Sequence, residues 1–212
     1  MLFADRADAG RQLADRVAQR GYDRPVVLAL PRGGVPVGAE VAARLDAPLD
    51  VLVVRKLGAP HNPEFGIGAV GEGGVVFVDA RSAAAVGLSD GDVEVLAARE
   101  GAEVERRVAR YRGERSAIDV SGRTVIVVDD GLATGVTAAA ACEVLRARGA
   151  RDVVLAVPVG APESVERLGA RYDEVVCLHT PDGFSAVGTW YEDFHQVSDD
   201  EVTALLRDAS AP

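Results

Sequence analysis

Asp129 and Asp130 stand side by side, and Gly131, Thr134, Gly135 and Thr137 follow at once; no other stretch of the 212-residue chain gathers so much chemistry. Glycines admit backbone angles that a side chain forbids, threonines supply hydroxyls, and a helix start supplies unpaired amides and a favourable dipole. That combination suits a phosphate monoester, with each amide-to-phosphate hydrogen bond contributing roughly 1.5–3 kcal/mol before ordering costs are subtracted. Two acids would repel the same phosphate, so they must serve another part of the ligand, either vicinal hydroxyls or a bridging Mg2+. A phosphate at the turn and a diol at the acids describe a ribose 5-phosphate. A second anion-binding candidate lies upstream, in Pro31-Arg-Gly-Gly-Val-Pro-Val-Gly38. There Arg32 can neutralise an anion bidentately while the Gly33-Gly34 backbone folds around it. Lys56 is the only lysine in a chain that otherwise uses arginine, and a compact ammonium suits pyrophosphate oxygens. His61 falls among Pro and Asn and reads as a solvent-exposed loop histidine.

The elements that must position these residues alternate. Residues 124–128 are an unbroken β-branched run, the pattern of a strand buried on both faces, and a helical pattern covers 138–148. Upstream, 9–20 reads as an amphipathic helix on Leu13 and Val17, 26–30 as a buried strand, 39–45 as a helix and 49–54 as a strand. Residues 65–79 read as two short strands across a Gly-Glu-Gly-Gly turn, and Ser89 with Asp92 starts a helix that runs to 112. Strand 152–157, helix 162–170, strand 174–178 and a terminal helix over 196–207, capped by Ser198 and Glu201, complete the chain. Repeated βα alternation implies an α/β fold, a parallel sheet covered on both faces. Ligands of such sheets bind beyond the carboxyl ends of strands, and Arg32, Lys56 and Asp129 all fall at such ends. Arg106, Arg107, Arg110, Arg112 and Arg115 read either as a solvated face or as cations for the phosphate site or a partner subunit.

The stretch Val127-Val-Asp-Asp-Gly-Leu-Ala-Thr-Gly-Val-Thr137 resembles the phosphoribosyl pyrophosphate (PRPP) binding motif of type I phosphoribosyltransferases. The resemblance implies a Rossmann-like parallel sheet flanked by helices, with a small hood subdomain. It implies a core over 1–178, with 56–79 as a flexible closing loop or hairpin, and a hood and terminal helix over 179–212. Gly131, Ala133, Thr134, Gly135, Val136 and Thr137 would then bind the 5-phosphate. Asp129 and Asp130 would hold the ribose hydroxyls, directly or through water on a Mg2+ ion. Arg32, Gly33, Gly34 and Lys56 would take pyrophosphate, and the reacting group would be Asp129, Asp130, Arg32 and Lys56. The implied activity is that of a Mg-dependent pentosyltransferase working with inversion, commonly as a homodimer.

The last region, 179–195, lacks βα rhythm and gathers Phe184, Trp190, Tyr191 and Phe194. In the resembled family such a hood covers the acceptor, so Phe184, Trp190 or Tyr191 could stack on a nitrogenous base, a purine above all. Asp182 or Asp193 could hydrogen-bond or deprotonate it. Two other readings remain: a PRPP-sensing regulator that keeps the fold but not turnover, and hydrolysis of a phosphorylated sugar. Composition bounds the rest. A content of 48% hydrophobic and 26% charged residues is that of a globular protein, and a net charge of −10 argues against indiscriminate nucleic-acid binding. Cys142 and Cys177 read as core thiols. The chain turns charged immediately after Met1-Leu-Phe-Ala and holds no apolar run of membrane length, so a cytoplasmic protein without signal peptide or membrane contact is expected.

Overall fold

The computed structural model describes residues 2–209. In chain order its elements are α1 (Arg6–Ala18), β1 (Val26–Ala29), α2 (Gly34–Leu45), β2 (Leu49–Val51), β3 (Val54–Ala59) and β4 (Asn62–Gly71). A 3-10 turn (Glu72–Gly74) leads to β5 (Val76–Val78), α3 (Ala80–Ala85), α4 (Asp90–Arg112), β6 (Thr124–Val128), α5 (Val136–Ala147) and β7 (Asp152–Val159). Then come α6 (Pro162–Gly169), β8 (Glu174–His179), a 3-10 turn (Val187–Trp190) and α7 (Asp199–Asp208).

The main sheet has the order β2-β1-β6-β7-β8, and every pairing in it is parallel. Alternate strand residues explain the two layers around it. Val27, Ile126, Val128 and Val154 face one core with α1, α2, α4 and α7, while Val26, Val125, Val127 and Leu155 face the other with α5 and α6. Burial on both faces is why these strands read as continuous apolar runs. Strand order reverses between β1 and β6, because β1 continues through α2 to β2 on one side while β6 continues through α5 to β7 on the other. A crevice opens at such a switch point, beyond the carboxyl ends of the two strands.

Where the sequence suggests a closing loop, residues 54–78 form a second sheet, the antiparallel β3-β4-β5. Its base lies against the helix after the acid pair, since a Cβ on Gly71 would come 2.4 Å from Val144 Cγ1. His61 stands exposed in the turn between β3 and β4. An ionic cluster ties this sheet to the core. Arg112 Nε donates to Asp50 Oδ2 at 2.9 Å and its Nη2 to Glu72 Oε2 at 2.7 Å, and Arg148 also pairs with Glu72.

Several boundaries differ from the sequence expectations. Helix α2 begins at Gly34 rather than at 39, so the glycine turn runs straight into a helix N-terminus. Helix α1 begins at Arg6, three positions before 9, and α5 begins at Val136 rather than 138. The apolar run 49–54 is two strands with a break, because β2 ends at Val51 and β3 leaves for the other sheet at Val54. The short α3, capped by Asp79, has no counterpart among the sequence expectations. Cys142 and Cys177 are free thiols, their pKa values pushed up to about 11 by burial.

Candidate active site at the strand switch point

Two turns meet at the switch point. Leu30 N donates to Val128 O at 2.9 Å, which brings the segment leaving β1 alongside the end of β6. The Arg32-Gly33-Gly34 turn then presses directly on the acid pair. A Cβ on Gly33 would lie 2.0 Å from Asp130 Oδ2, and one on Gly34 would lie 2.6 Å from Val128 O and 2.9 Å from Asp129 Cα. Side chains cannot be accommodated there, so the two glycines are a condition of the contact. The Pro31–Arg32 peptide bond is cis. The Arg32 side chain is partly exposed, with Nη1 3.9 Å from Asp199 Oδ1 at the start of α7.

Asp129 and Asp130 are mostly enclosed. Burial, and next the neighbouring Asp130 charge, raise the Asp129 pKa well above the usual carboxylate range. Burial also raises that of Asp130, opposed by a hydrogen bond from Arg6. That bond runs from Arg6 Nε to Asp130 Oδ2 at 2.8 Å. Tyr191 Oη donates to the Asp130 carbonyl at 2.6 Å. With side-chain exposures of 9% for Arg6 and 15% for Asp130, the ion pair sits largely out of water.

Beyond the acids the chain turns through residues 131–135. Gly131 lies under the hood, where a Cβ would meet Val187 Cγ1 at 2.4 Å. Leu132 N donates to Val159 O at 2.9 Å and Leu132 O accepts from Ala161 N at 2.8 Å, pinning the turn to β7. Ser164 Oγ donates to the Ala133 carbonyl at 2.6 Å, and Arg167 donates to the Thr134 carbonyl and to Ser164 Oγ. These bonds take up the carbonyls of Leu132, Ala133 and Thr134 together with the Leu132 amide. Gly135, at φ +65°, caps α5 from the left-handed region, and α5 starts at Val136 with its first-turn amides lacking helical partners. Thr134, Val136 and Thr137 are exposed.

Two cavities adjoin the turn, and Lys56 lines both. One of about 310 Å3 is bounded by Lys56, Thr134, Gly135, Val136, Arg167 and Arg171. The other, about 560 Å3, is bounded by Pro31, Lys56, Arg99, Arg107 and Thr137. The first joins the helix N-terminus to Lys56 and two guanidinium groups beside Asp79 and Glu143, and the second joins the glycine turn's proline to four cations, Arg55 among them, beside Glu100. In each the cations outnumber the carboxylates, although Arg171 is paired with Glu143, Arg55 with Glu100 and Arg107 with Glu103. Sequence reasoning missed Arg99, Ser164 and Arg167, and it left Arg107 undivided within the α4 run. The Ser164–Arg167 spacing, one helical turn on α6, was the signal available for two of them.

Of the arginine run on α4, Arg107 reaches the site and the others serve the scaffold. Arg106 pairs with Glu103, Arg110 with Asp199 and Asp200, and Arg112 with Asp50 and Glu72. Arg115 donates to the carbonyls of Arg112 and Leu206 at the ends of α4 and α7.

The hood residues divide. Tyr191 is 3% exposed, packed against Phe3 and Phe194, and presents no open ring face. Phe184 and Trp190 stack with centroids 6.4 Å apart, and the Trp190 indole Nε1 is buried without a hydrogen-bond partner. Asp193 accepts from His195, whose hydrogen bonds lower its pKa, and Asp182 is exposed. Leu2 and Phe3 belong to this subdomain too, since both amides donate to Trp190 O and Phe3 bridges to Tyr191.

Mg2+ binds through one or two carboxylates together with substrate phosphates. Among the described residues no group of three or more His, Cys, Asp or Glu side chains is placed to hold a metal ion. The carboxylates that could contribute to holding a metal here are Asp129 and Asp130, the second of them already facing Arg6. Among the described residues no helix is long and apolar enough to cross a membrane.

Residues 3–193 match the phosphoribosyl transferase domain family. A Mycobacterium tuberculosis protein that carries the name "Putative phosphoribosyl transferase" is 53% identical over 205 residues, which is 97% of this chain and 46% of that protein. The chain thus spans about half the length of that curated relative. The crystal structure of TT1426 from Thermus thermophilus superposes with a TM-score of 0.92 at 48% identity, covering 100% of both chains. A uracil phosphoribosyltransferase of Acinetobacter baylyi is 42% identical over 57 residues, which is 27% of each chain.

Proposed function

The chain belongs to the phosphoribosyl transferase family, and from that premise we propose that it transfers ribose 5-phosphate from PRPP to a nitrogenous acceptor, releasing pyrophosphate. One observation carries the reading. The acid pair and the arginine-glycine turn sit in contact at the ends of neighbouring parallel strands, with a Gly33 Cβ position only 2.0 Å from Asp130 Oδ2. A diol site and an anion site are thereby fused, and the exposed amide turn at Gly135 begins the helix beyond them.

In this reading the 5-phosphate sits on Thr134, Gly135, Val136 and Thr137, with Arg167 behind the turn. Pyrophosphate lies along Arg32, Gly33 and Gly34 toward Lys56, Arg99 and Arg107. Asp129 and Asp130 hold the ribose hydroxyls. An acceptor nitrogen attacks the anomeric carbon as its bond to the pyrophosphate oxygen breaks, and the bonding pair leaves with pyrophosphate. Positive charge builds on the sugar ring in between, where the carboxylates stabilise it, while the cations around Lys56 stabilise the leaving group. Mg2+ carried on the substrate oxygens would add to that charge neutralisation. The stacked Phe184–Trp190 pair marks the hood face for a planar base, purines being first to screen. A homodimer belongs to the same proposal and is checked by light scattering.

The decisive test is a calorimetric titration of PRPP with and without Mg2+, followed by an acceptor screen for pyrophosphate release. We expect metal-dependent binding and release with one base. Binding without release for any base would favour a PRPP-sensing protein, release with water alone would favour hydrolysis, and no binding by a folded sample would remove the reading.

A further inference from the structure

Arg6 lies outside every stretch that the PRPP reading uses, yet its guanidinium forms an ion pair with the second acid. Three features fix that guanidinium. Nε donates to Asp130 Oδ2 at 2.8 Å, Nη1 donates to the His195 carbonyl at 2.7 Å, and Cζ stands 3.8 Å over the Phe194 ring. A guanidinium presents a rigid planar fork of donors and a π face to three such partners at once, a geometry that the compact, rotatable ammonium of lysine does not pre-organise. Both ends of the arrangement are anchored. Arg6 opens α1 behind its Asp5 cap, and α1 crosses α2 so closely that a Cβ on Gly10 would lie 2.9 Å from Glu40 Cβ. His195 is held in turn, its ring nitrogens 3.2 Å from Asp193 Oδ1 and from Glu201 Oε1 in the capping box of α7.

We propose that Arg6 is a positioning residue for Asp130, holding its carboxylate in register with the arginine-glycine turn and linking it to the hood. Arg6 donates to Oδ2, and the Gly33 Cβ position also lies nearest that oxygen, 2.0 Å away against 3.2 Å from Oδ1, so Oδ1 is the less engaged of the two. The inference rests on the PRPP reading, because it gives Asp130 a ribose to meet. Arg6 itself touches no reacting atom. Its influence passes through the direction and charge of one carboxylate, and through the 193–195 strap that closes the acceptor side.

The test is a double-mutant cycle with Asp130→Asn, read as the dissociation constant for PRPP in Mg2+ and, in parallel, as thermal unfolding. Arg6→Gln should raise that constant about 10–100-fold, the scale seen when a partner that orients a ligating side chain is lost. Arg6→Lys, which keeps the charge but not the fork, should recover part of the loss. In the Asp130→Asn background Arg6→Gln should change the constant by less than about threefold, since the group it orients is altered. A purely structural arginine would instead weaken binding equally in both backgrounds, in step with the melting temperature. Equal losses, or an unchanged constant in Arg6→Gln, would overturn the proposal. Should Arg6→Gln not fold, the same cycle with Arg6→Lys decides it, and additive losses there would overturn it as well. Failure of the unaltered protein to bind PRPP would instead overturn the reading on which the proposal rests.

Discussion

A methyl group on Gly33 would have to share space with Asp130 Oδ2, 2.0 Å away. Neither atom is the far end of a long, mobile side chain, so Gly33→Ala must push the acid pair and the turn apart. We expect this variant to fold and to bind PRPP at least about 100-fold more weakly, a loss of about 2.8 kcal/mol at about 1.4 kcal/mol per tenfold, measured by calorimetry beside a melting curve. Arg167→Met tests the other end of the ligand. It removes a donor to the Thr134 carbonyl and a cation from the 310 Å3 cavity. A loss of about 1.5–3 kcal/mol in PRPP affinity is expected, with no change for a ligand lacking the 5-phosphate. Asp129, Asp130 and the glycines were legible in the sequence because each of the two turns is a contiguous run, whereas Arg99 and Arg167 come to the turns from other helices. Arg6 was not, because its partner is far along the chain and its own neighbours, Ala4-Asp-Arg-Ala7, read as an ordinary charged helix start.

Caps and breaks decide the elements. Both serine caps foreseen from sequence, Ser89 with Asp92 and Ser198 with Glu201, form reciprocal capping boxes. Their signals are local and need no tertiary partner. The start of α2 was misplaced because Gly33-Gly34-Val35-Pro36 looks like a loop. A proline in the first turn costs little, however, since its missing N–H has no helical acceptor there. The Ser198 amide, and then its hydroxyl, hold the Glu201 carboxylate at a pKa of about 2, against an ordinary 4.5. A depressed folded pKa stabilises above about pH 4.5 and is lost as pH falls toward 2. Melting temperature should therefore fall over that acid window, and Glu201→Gln should shrink that part of the fall. Arg112 is the ionic hinge pin between the two sheets, its side chain 5% exposed between Asp50 and Glu72. Arg112→Leu leaves the buried Asp50 carboxylate without its cation and Glu72 with Arg148 alone, and it should cost about 3–5 kcal/mol in urea unfolding.

At the scale of the whole molecule, βα alternation announced a parallel sheet, and the sheet is there, but strand order could not be read from alternation alone. Order depends on which helix covers which face, and that is settled by packing among residues distant in sequence. The hood shows the same limit. Its aromatics were visible over 179–195, yet its other half is Phe3, buried against Tyr191 and His179 from the opposite end of the chain. Phe3→Ala should cost about 3–5 kcal/mol and loosen the hood, seen as faster amide exchange at residues 190–193. That closure has a consequence for the order of synthesis. A ribosome delivers Phe3 and Arg6 well before Tyr191 and His195, so until residue 195 is made the nascent sheet must wait with its acid pair uncompensated and its first helix unlatched. Every chain arrested before residue 195 would carry the nucleotide-type core without the clasp that completes it. Assembly of the site thus waits on residue 195, and products that stop short of it would be open to proteases at the segment that the longer chain buries.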